Sequence, residues 1–132
     1  MSSKSALGIL IILLLPALLL AQAVYQPVGV SGGIDYGNRV IISKGISSPG
    51  GVGGRGGQIR AAIMDAQRNF LEVTKGAYVT GNTTIQDYML ESDRITSQIQ
   101  GMVKNFAVID TSYFDDGTIE VTLQFPMEGA FL

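Results

Sequence analysis

The run QIRAAIMDAQRNFLEVTK, Gln58 to Lys75, repeats its apolar residues at helical spacing. At about 100° per residue, Ile59, Ala62, Ile63, Ala66, Phe70 and Val73 fall within about 100° of one another. Arg60, Asp65, Arg68, Glu72 and Lys75 lie off that stripe. An amphipathic helix of this length must bury its stripe against another layer. Gly76 stands where a left-handed residue would end it, with Lys75 favourable in the last turn. Burial of the Phe70 ring should contribute about 2–3 kcal/mol, and Phe70→Ala is the change expected to damage the fold most.

The partner layer is legible at the other end of the chain. Thr118 to Phe125 alternates, with Ile119, Val121, Leu123 and Phe125 on one side and Thr118, Glu120, Thr122 and Gln124 on the other. That pattern describes a strand with one buried face. Asp115-Asp116-Gly117 supplies a hairpin turn, and Val103 to Phe114 is the strand expected before it. Pro126 is expected to stop the last strand. Arg39 to Lys44 has the β-branched density of a first strand, and Ala77 to Thr80 reads as another. Gly81-Asn82 makes a turn and Thr83 to Ile85 resumes extended structure. Ser92 is a plausible N-cap for a second, shorter helix carrying Asp93, Ile95, Ile99 and Met102 and ending at Gly101. The expected fold is therefore α+β and two-layered. One long helix packs on a mainly antiparallel sheet of three to four strands, beside a second short helix. The expected core is Ile59, Ile63, Ala66, Phe70, Val73, Ile119, Val121, Leu123 and Phe125.

Around this domain, residues 34–127, lie segments of other composition. Met1 to Ala23 has Lys4, an apolar run from Ala6 to Leu20 and an Ala21-Gln22-Ala23 ending. This is the layout of a signal peptide cleaved after Ala23; the second reading is a retained anchor, disfavoured because the run is shorter than the roughly 20 apolar residues a membrane span needs. Residues 24–33, with Pro27 and three glycines, are expected to be a flexible, poorly ordered lead-in, and 128–132 a C-terminal tail. Ser47 to Gly57, rich in glycine with one proline, is expected to be a mobile loop. The whole chain carries a net charge of −2. Loss of residues 1–23 removes one basic residue and no acid, which leaves −3. No basic patch alternates with aromatics, so nucleic acid is not an expected partner.

The candidate chemistry is sparse. Gly51-Val52-Gly53-Gly54-Arg55-Gly56 matches the dinucleotide pattern G-x-G-x-x-G between a strand and a helix. The segment is glycine-rich throughout and no acid ends a second parallel strand, so it is read as a loop. Gly-Lys-Ser/Thr is absent, so it is no P-loop either. Asp87, Glu91 and Asp93 have no EF-hand spacing and are read as a helix start with solvated neighbours. Asp115 and Asp116 are read as turn residues. Asn82-Thr83-Thr84, formally a glycosylation sequon, is read as a turn. The chain has no His and no Cys. The usual general base, strong nucleophile and thiolate metal ligand are therefore missing, and no catalytic residue, cofactor or metal site is expected. Met64 and Leu71 flank the helix stripe at about 120–140° from Ile59; such residues are peripheral core or, as candidate interface residues, mark a contact between subunits. Their joint replacement by Glu is expected to dissociate an oligomer and spare the fold.

Arg60-Ala61-Ala62, Asp65 to Glu72 and Gly76 resemble the helix motif of the LPP lipofamily, the twenty-kilodalton bacterial outer-membrane lipoproteins, to which domains of the flagellar proteins FlgP and FlgT are related. The likeness continues through Thr83-Thr84-Ile85 with Asp87, Ser92-Asp93, Ile95, Gly101, Asp116-Gly117 and Glu120-Val121-Thr122. The resemblance implies a non-enzymatic envelope protein built as an α+β module that forms rings or larger assemblies, in the flagellar relatives around the motor. The lipoprotein members have a lipidated cysteine where this chain has Ala21-Gln22-Ala23-Val24. The expectation is thus a periplasmic structural module without a direct lipid anchor. It would be a homo-oligomer or dock on an outer-membrane-associated complex such as the flagellar basal body. Two other classes stay open: a soluble periplasmic binding module for a small ligand or cell-wall component, and a secreted effector or adhesin. A polar internal pocket would favour the binding module; a filled core with an exposed apolar flank or strand edge would favour assembly.

Overall fold

The computed structural model describes residues 25–127; the expected signal peptide at 1–23, Val24 and the expected tail at 128–132 lie outside them. The elements in chain order are β1 (Tyr25–Val28), β2 (Gly32–Asp35), β3 (Val40–Ser47), α1 (Gly54–Lys75), β4 (Tyr78–Thr80), β5 (Thr83–Thr84), α2 (Ile85–Glu91), α3 (Asp93–Met102), β6 (Ala107–Tyr113) and β7 (Ile119–Pro126). Five strands form one antiparallel sheet in the order β1-β2-β3-β7-β6. The fold is α+β, with α1 laid across one face of this sheet, chiefly over β3 and β7. β4 and β5 make a separate two-stranded hairpin.

The two periodic segments meet as their patterns require. Ala62, Ala66, Phe70 and Val73 of α1 are buried against Ile119, Val121, Leu123 and Phe125 of β7 and Ile41 of β3. Ile59 and Ile63 are partly buried at the margin of the same core. The Phe70 and Phe125 rings stack at 4.1 Å between centroids, and Phe106 closes on Phe125 from the side at 6.2 Å. Offset stacking of this kind adds to simple burial, so the pair is the centre of the interface between the layers.

The closest approach of the layers is at Gly45. A Cβ there would run into the Ala62 carbonyl oxygen and the Ala66 nitrogen, and would lie 2.8 Å from the Ala66 Cα. Next to it, the fully buried Ser43 hydroxyl donates to the Ala66 carbonyl at 2.7 Å. A small residue and a hydroxyl thus let helix backbone sit directly on strand backbone, a polar contact satisfied inside an apolar core.

Several expectations need correction. The sheet has five strands, because residues 25–28 and 32–35 pair as β1 and β2. The stretch expected to be a flexible lead-in is extended but hydrogen-bonded. Two of its three glycines sit where a side chain would not fit: a Cβ on Gly32 would strike the Ile42 carbonyl, and Gly33 lies under the Tyr25 ring. The long helix begins at Gly54, so the last residues of the expected loop are its first turn. Gly76 has φ −80° and ψ −5°, right-handed geometry, and its N–H reaches the Glu72 carbonyl. Helix α3 starts at the Ser92 cap but runs through Gly101 to Met102. The turn after it, residues 103–106, delays β6 to Ala107. The chain also holds the unexpected α2, started by a capping box in which Thr84 and Asp87 exchange hydrogen bonds. Among the described residues no helix is long and apolar enough to cross a membrane.

Candidate interaction surface

A five-stranded open sheet has two outer edges, and here β3 adds a third. β2 pairs with β3 only as far as Gly32 opposite Ser43, so the rest of β3 turns unpaired groups outward. The chain closes this gap with one loop carbonyl and two side chains. The Lys44 N–H donates to the Ser31 carbonyl at 2.7 Å. From α1, the Asn69 amide donates to the Lys44 carbonyl at 2.7 Å, and the Asp65 carboxylate accepts from the Ile46 N–H at 2.9 Å. Asp65 and Asn69 lie one helical turn apart, so one face of α1 completes the ladder that β2 leaves unfinished. At the outer edge, β1 is four residues long and contains Pro27, two ordinary means of blunting an edge.

β6 is the contrasting edge. It is seven residues long, contains neither Pro nor Lys, and pairs only with β7. Val108, Ile109 and Tyr113, and Phe114 just beyond the strand, are each about half exposed, from 46% to 55%. An irregularity in the pairing between Val108 and Asp110 leaves Ile109 without a partner on β7. At the far end, the Phe114 N–H donates to the Thr118 carbonyl and the Phe114 carbonyl accepts from the Gly117 N–H. Phe114 therefore turns its backbone groups inward. Strand alternation then turns those of Tyr113 and Thr111 out to the open edge and those of Ser112 and Asp110 in toward β7. The Arg55 guanidinium sits 5.1 Å from the centre of the Tyr113 ring, a cation–π contact that fixes this ring.

A cleft of about 330 Å³ lies at the β3–α1 junction, lined by Val30, Ser31, Lys44, Ile46, Asp65, Asn69 and Glu120. Its polar groups include Asp65 and Asn69, which already hold the β3 backbone. Of the candidate interface residues on the helix, Met64 is 63% exposed, whereas Leu71 packs against the hydrophobic core. They do not form one exposed patch. The acids weighed as ligands are separated in role. Asp87 accepts from the Thr84 N–H at 2.9 Å, and Asp93 lies in the first turn of α3. Asp116 accepts from the Thr118 N–H at 2.9 Å inside the β6–β7 turn, and that bond holds its pKa below the ordinary aspartate value. The Asp35 carboxyl is lowered in the same way by the Asn38 side chain. The glycine pattern at 51–56 ends in a helical turn whose Gly53 cap has left-handed φ and no side-chain hydrogen bond.

Comparisons with protein-family models, with curated proteins and with solved structures find no match to this chain. The open β6 edge was missed from the sequence. The signal was present in Val103 to Phe114: the apolar residues of its strand half do not alternate, so they cannot all face one core.

Proposed function

We propose that the protein is an exported, non-enzymatic assembly module of the bacterial envelope that docks through the open edge of β6. The observation that carries this is the coincidence on one edge of unpaired backbone groups and half-exposed apolar side chains. Such an edge is a template for another strand: backbone hydrogen bonds supply affinity, and the side chains supply area removed from water. The ligand-binding alternative would use the β3–α1 cleft. A ligand engaging Asp65 and Asn69 there would uncover the backbone of β3 that they satisfy.

The compartment rests on the Met1–Ala23 segment, and the class of complex on the resemblance to the LPP lipofamily. Both support a periplasmic module attached by protein contacts to an outer-membrane-associated complex, the flagellar basal body among them. The test is to fractionate cells producing the full chain and to size the envelope complexes by sedimentation. The wild-type chain is expected in a larger complex, and Ile109→Lys with Tyr113→Lys is expected to release it. A wild-type chain that sediments as a free monomer refutes docking. Deletion of the gene with motility unchanged refutes the flagellar version alone.

A further inference from the structure

Granting that β6 is the docking edge, we infer that its occupant is an extended segment of another protein, added antiparallel, in which apolar residues alternate with Lys or Arg. Charge is divided unequally between the two sides of this edge. Residues 107–126, which form β6, its turn and β7, hold four acids, Asp110, Asp115, Asp116 and Glu120, and no Lys or Arg. The pairing with β7 places two of them beside the edge. Ile119, Val121 and Leu123 are buried under α1, so Glu120 and Thr122 turn to the side of the sheet away from it. Ser112 lies opposite Glu120 and Asp110 opposite Thr122, so both share that far side. Val108, Thr111 and Tyr113 lie opposite Leu123, Val121 and Ile119 and share the α1 side. The charge that reaches β6 on the α1 side is positive, the Arg55 guanidinium over the Tyr113 ring. Lys44 shares the far side with the acids but stands on β3, two strands in from the edge. That is about 10 Å away, close to the screening length at physiological salt.

An added strand must answer both sides at once. From Asp110 to Tyr113 the pairing of β6 with β7 is regular, and the backbone groups free to bond outward are those of Thr111 and Tyr113. Residues opposite these two put their side chains on the α1 side. There an apolar group is removed from water against the half-exposed Tyr113 ring, and a Lys would meet Arg55. Residues opposite Asp110 and Ser112 put theirs on the far side. A Lys or Arg opposite Asp110 faces its carboxylate directly, and one opposite Ser112 stands diagonal to Asp110 with Glu120 beyond it. A Glu at either place would meet like charge. β6 of a second copy brings Asp110 and no base, so the acidic side calls for a different chain.

The full chain is purified and titrated with labelled synthetic peptides of seven residues, the length of β6, with binding read by fluorescence anisotropy. One peptide alternates Lys with Val, and a second alternates Glu with Val. Two more repeat the first with N-methyl groups on the Val amides, which must bond to Thr111 and Tyr113, or on the Lys amides, which point away. The Lys–Val peptide is expected to bind at least about tenfold more tightly than the Glu–Val peptide, and at least about tenfold more tightly than its Val-methylated form. Methylation of the Lys amides should leave binding within about twofold. Asp110→Asn with Glu120→Gln is expected to remove most of the preference for Lys over Glu, with circular dichroism checking that the fold is kept. No binding of the Lys–Val peptide, or equal binding of the Lys and Glu peptides, overturns the inference. Equal binding of the two methylated peptides also overturns it, because the contact would then be charge without strand pairing. If the inference fails while Ile109→Lys with Tyr113→Lys still releases the wild-type chain's larger complex, the edge docks a partner of other chemistry. A wild-type chain that sediments as a free monomer removes the docking reading itself.

Discussion

Replacement of Gly45 by Ala tests the contact between the layers with one methyl group. The new Cβ would stand 2.8 Å from the Ala66 Cα, where ordinary contact begins at 3.4 Å. The helix must therefore retreat by about 0.6 Å at the least, and farther to clear the Ala62 carbonyl and the Ala66 nitrogen. Neither obstacle is a flexible side-chain end, because all three atoms belong to the α1 backbone. Overpacking of this sort costs about 1–3 kcal/mol. The retreat also stretches the Ser43–Ala66 hydrogen bond, a further loss of about 1 kcal/mol. Against this, alanine restricts the unfolded chain, a gain of about 0.4–1 kcal/mol. The net expectation is a destabilisation of about 2–3 kcal/mol, or a Tm lower by about 10–20 °C. Thermal and urea unfolding followed by circular dichroism would measure it. Gly101→Ala is the matched control: it sits in α3 with open space around it, so only the gain applies and Tm should rise slightly. A Gly45→Ala protein melting within about 3 °C of wild type would refute the account of how α1 sits on β3.

Two further outcomes are expected. Met64→Glu should leave stability within about 0.5 kcal/mol of wild type, because the side chain is exposed, while Leu71→Glu should cost at least about 1–2 kcal/mol because it strips an apolar contact from the core; urea midpoints compare them, and equal midpoints would contradict the split. For pH, the Asp116 and Asp35 carboxyls are held below 3.8, so what their hydrogen bonds contribute is complete above pH 3.8 and is lost as pH falls through the depressed folded values. A carboxyl NMR titration of the folded protein should show both midpoints below 3.8, and a midpoint at or above that value for Asp116 would remove the Thr118 bond from the structure.

Where the sequence spoke through period, it was legible. The stripe from Ile59 to Val73 and the alternation from Ile119 to Phe125 each name a buried face, and two buried faces need each other. Asp116-Gly117 and Ser92 could be located because turns and caps have local chemistry: Gly117 takes φ 88°, and the Ser92 hydroxyl accepts from the Ile95 N–H. The misreadings share a cause. Gly32 and Gly33 read as freedom and Gly45 carried no signal at all, whereas each is a place where another backbone or ring presses close. That pressure is a tertiary fact without a local signature. Helix α2 was overlooked for a different reason. Its seven residues are too few for a period, and the Thr84–Asp87 capping box uses Asp where Glu or Gln is the familiar third residue. The β6 edge escaped notice because exposure of an apolar strand is a property of the finished sheet order.

The side chains of Asp65 and Asn69 have a consequence for the size any assembly can reach. They occupy the backbone groups of β3 that β2 leaves free, and Pro27 blunts β1, so the large sheet offers a strand partner on one side only. A body with one sticky side can join another such body once, and the union has no sticky side left. Strand pairing through this sheet would therefore be self-terminating, unlike the head-to-tail addition that builds fibres. Loss of the Asn69 amide would free only the Lys44 carbonyl, because Ser31 still holds the Lys44 N–H and Asp65 the Ile46 N–H, so this side of the sheet is closed by three separate contacts.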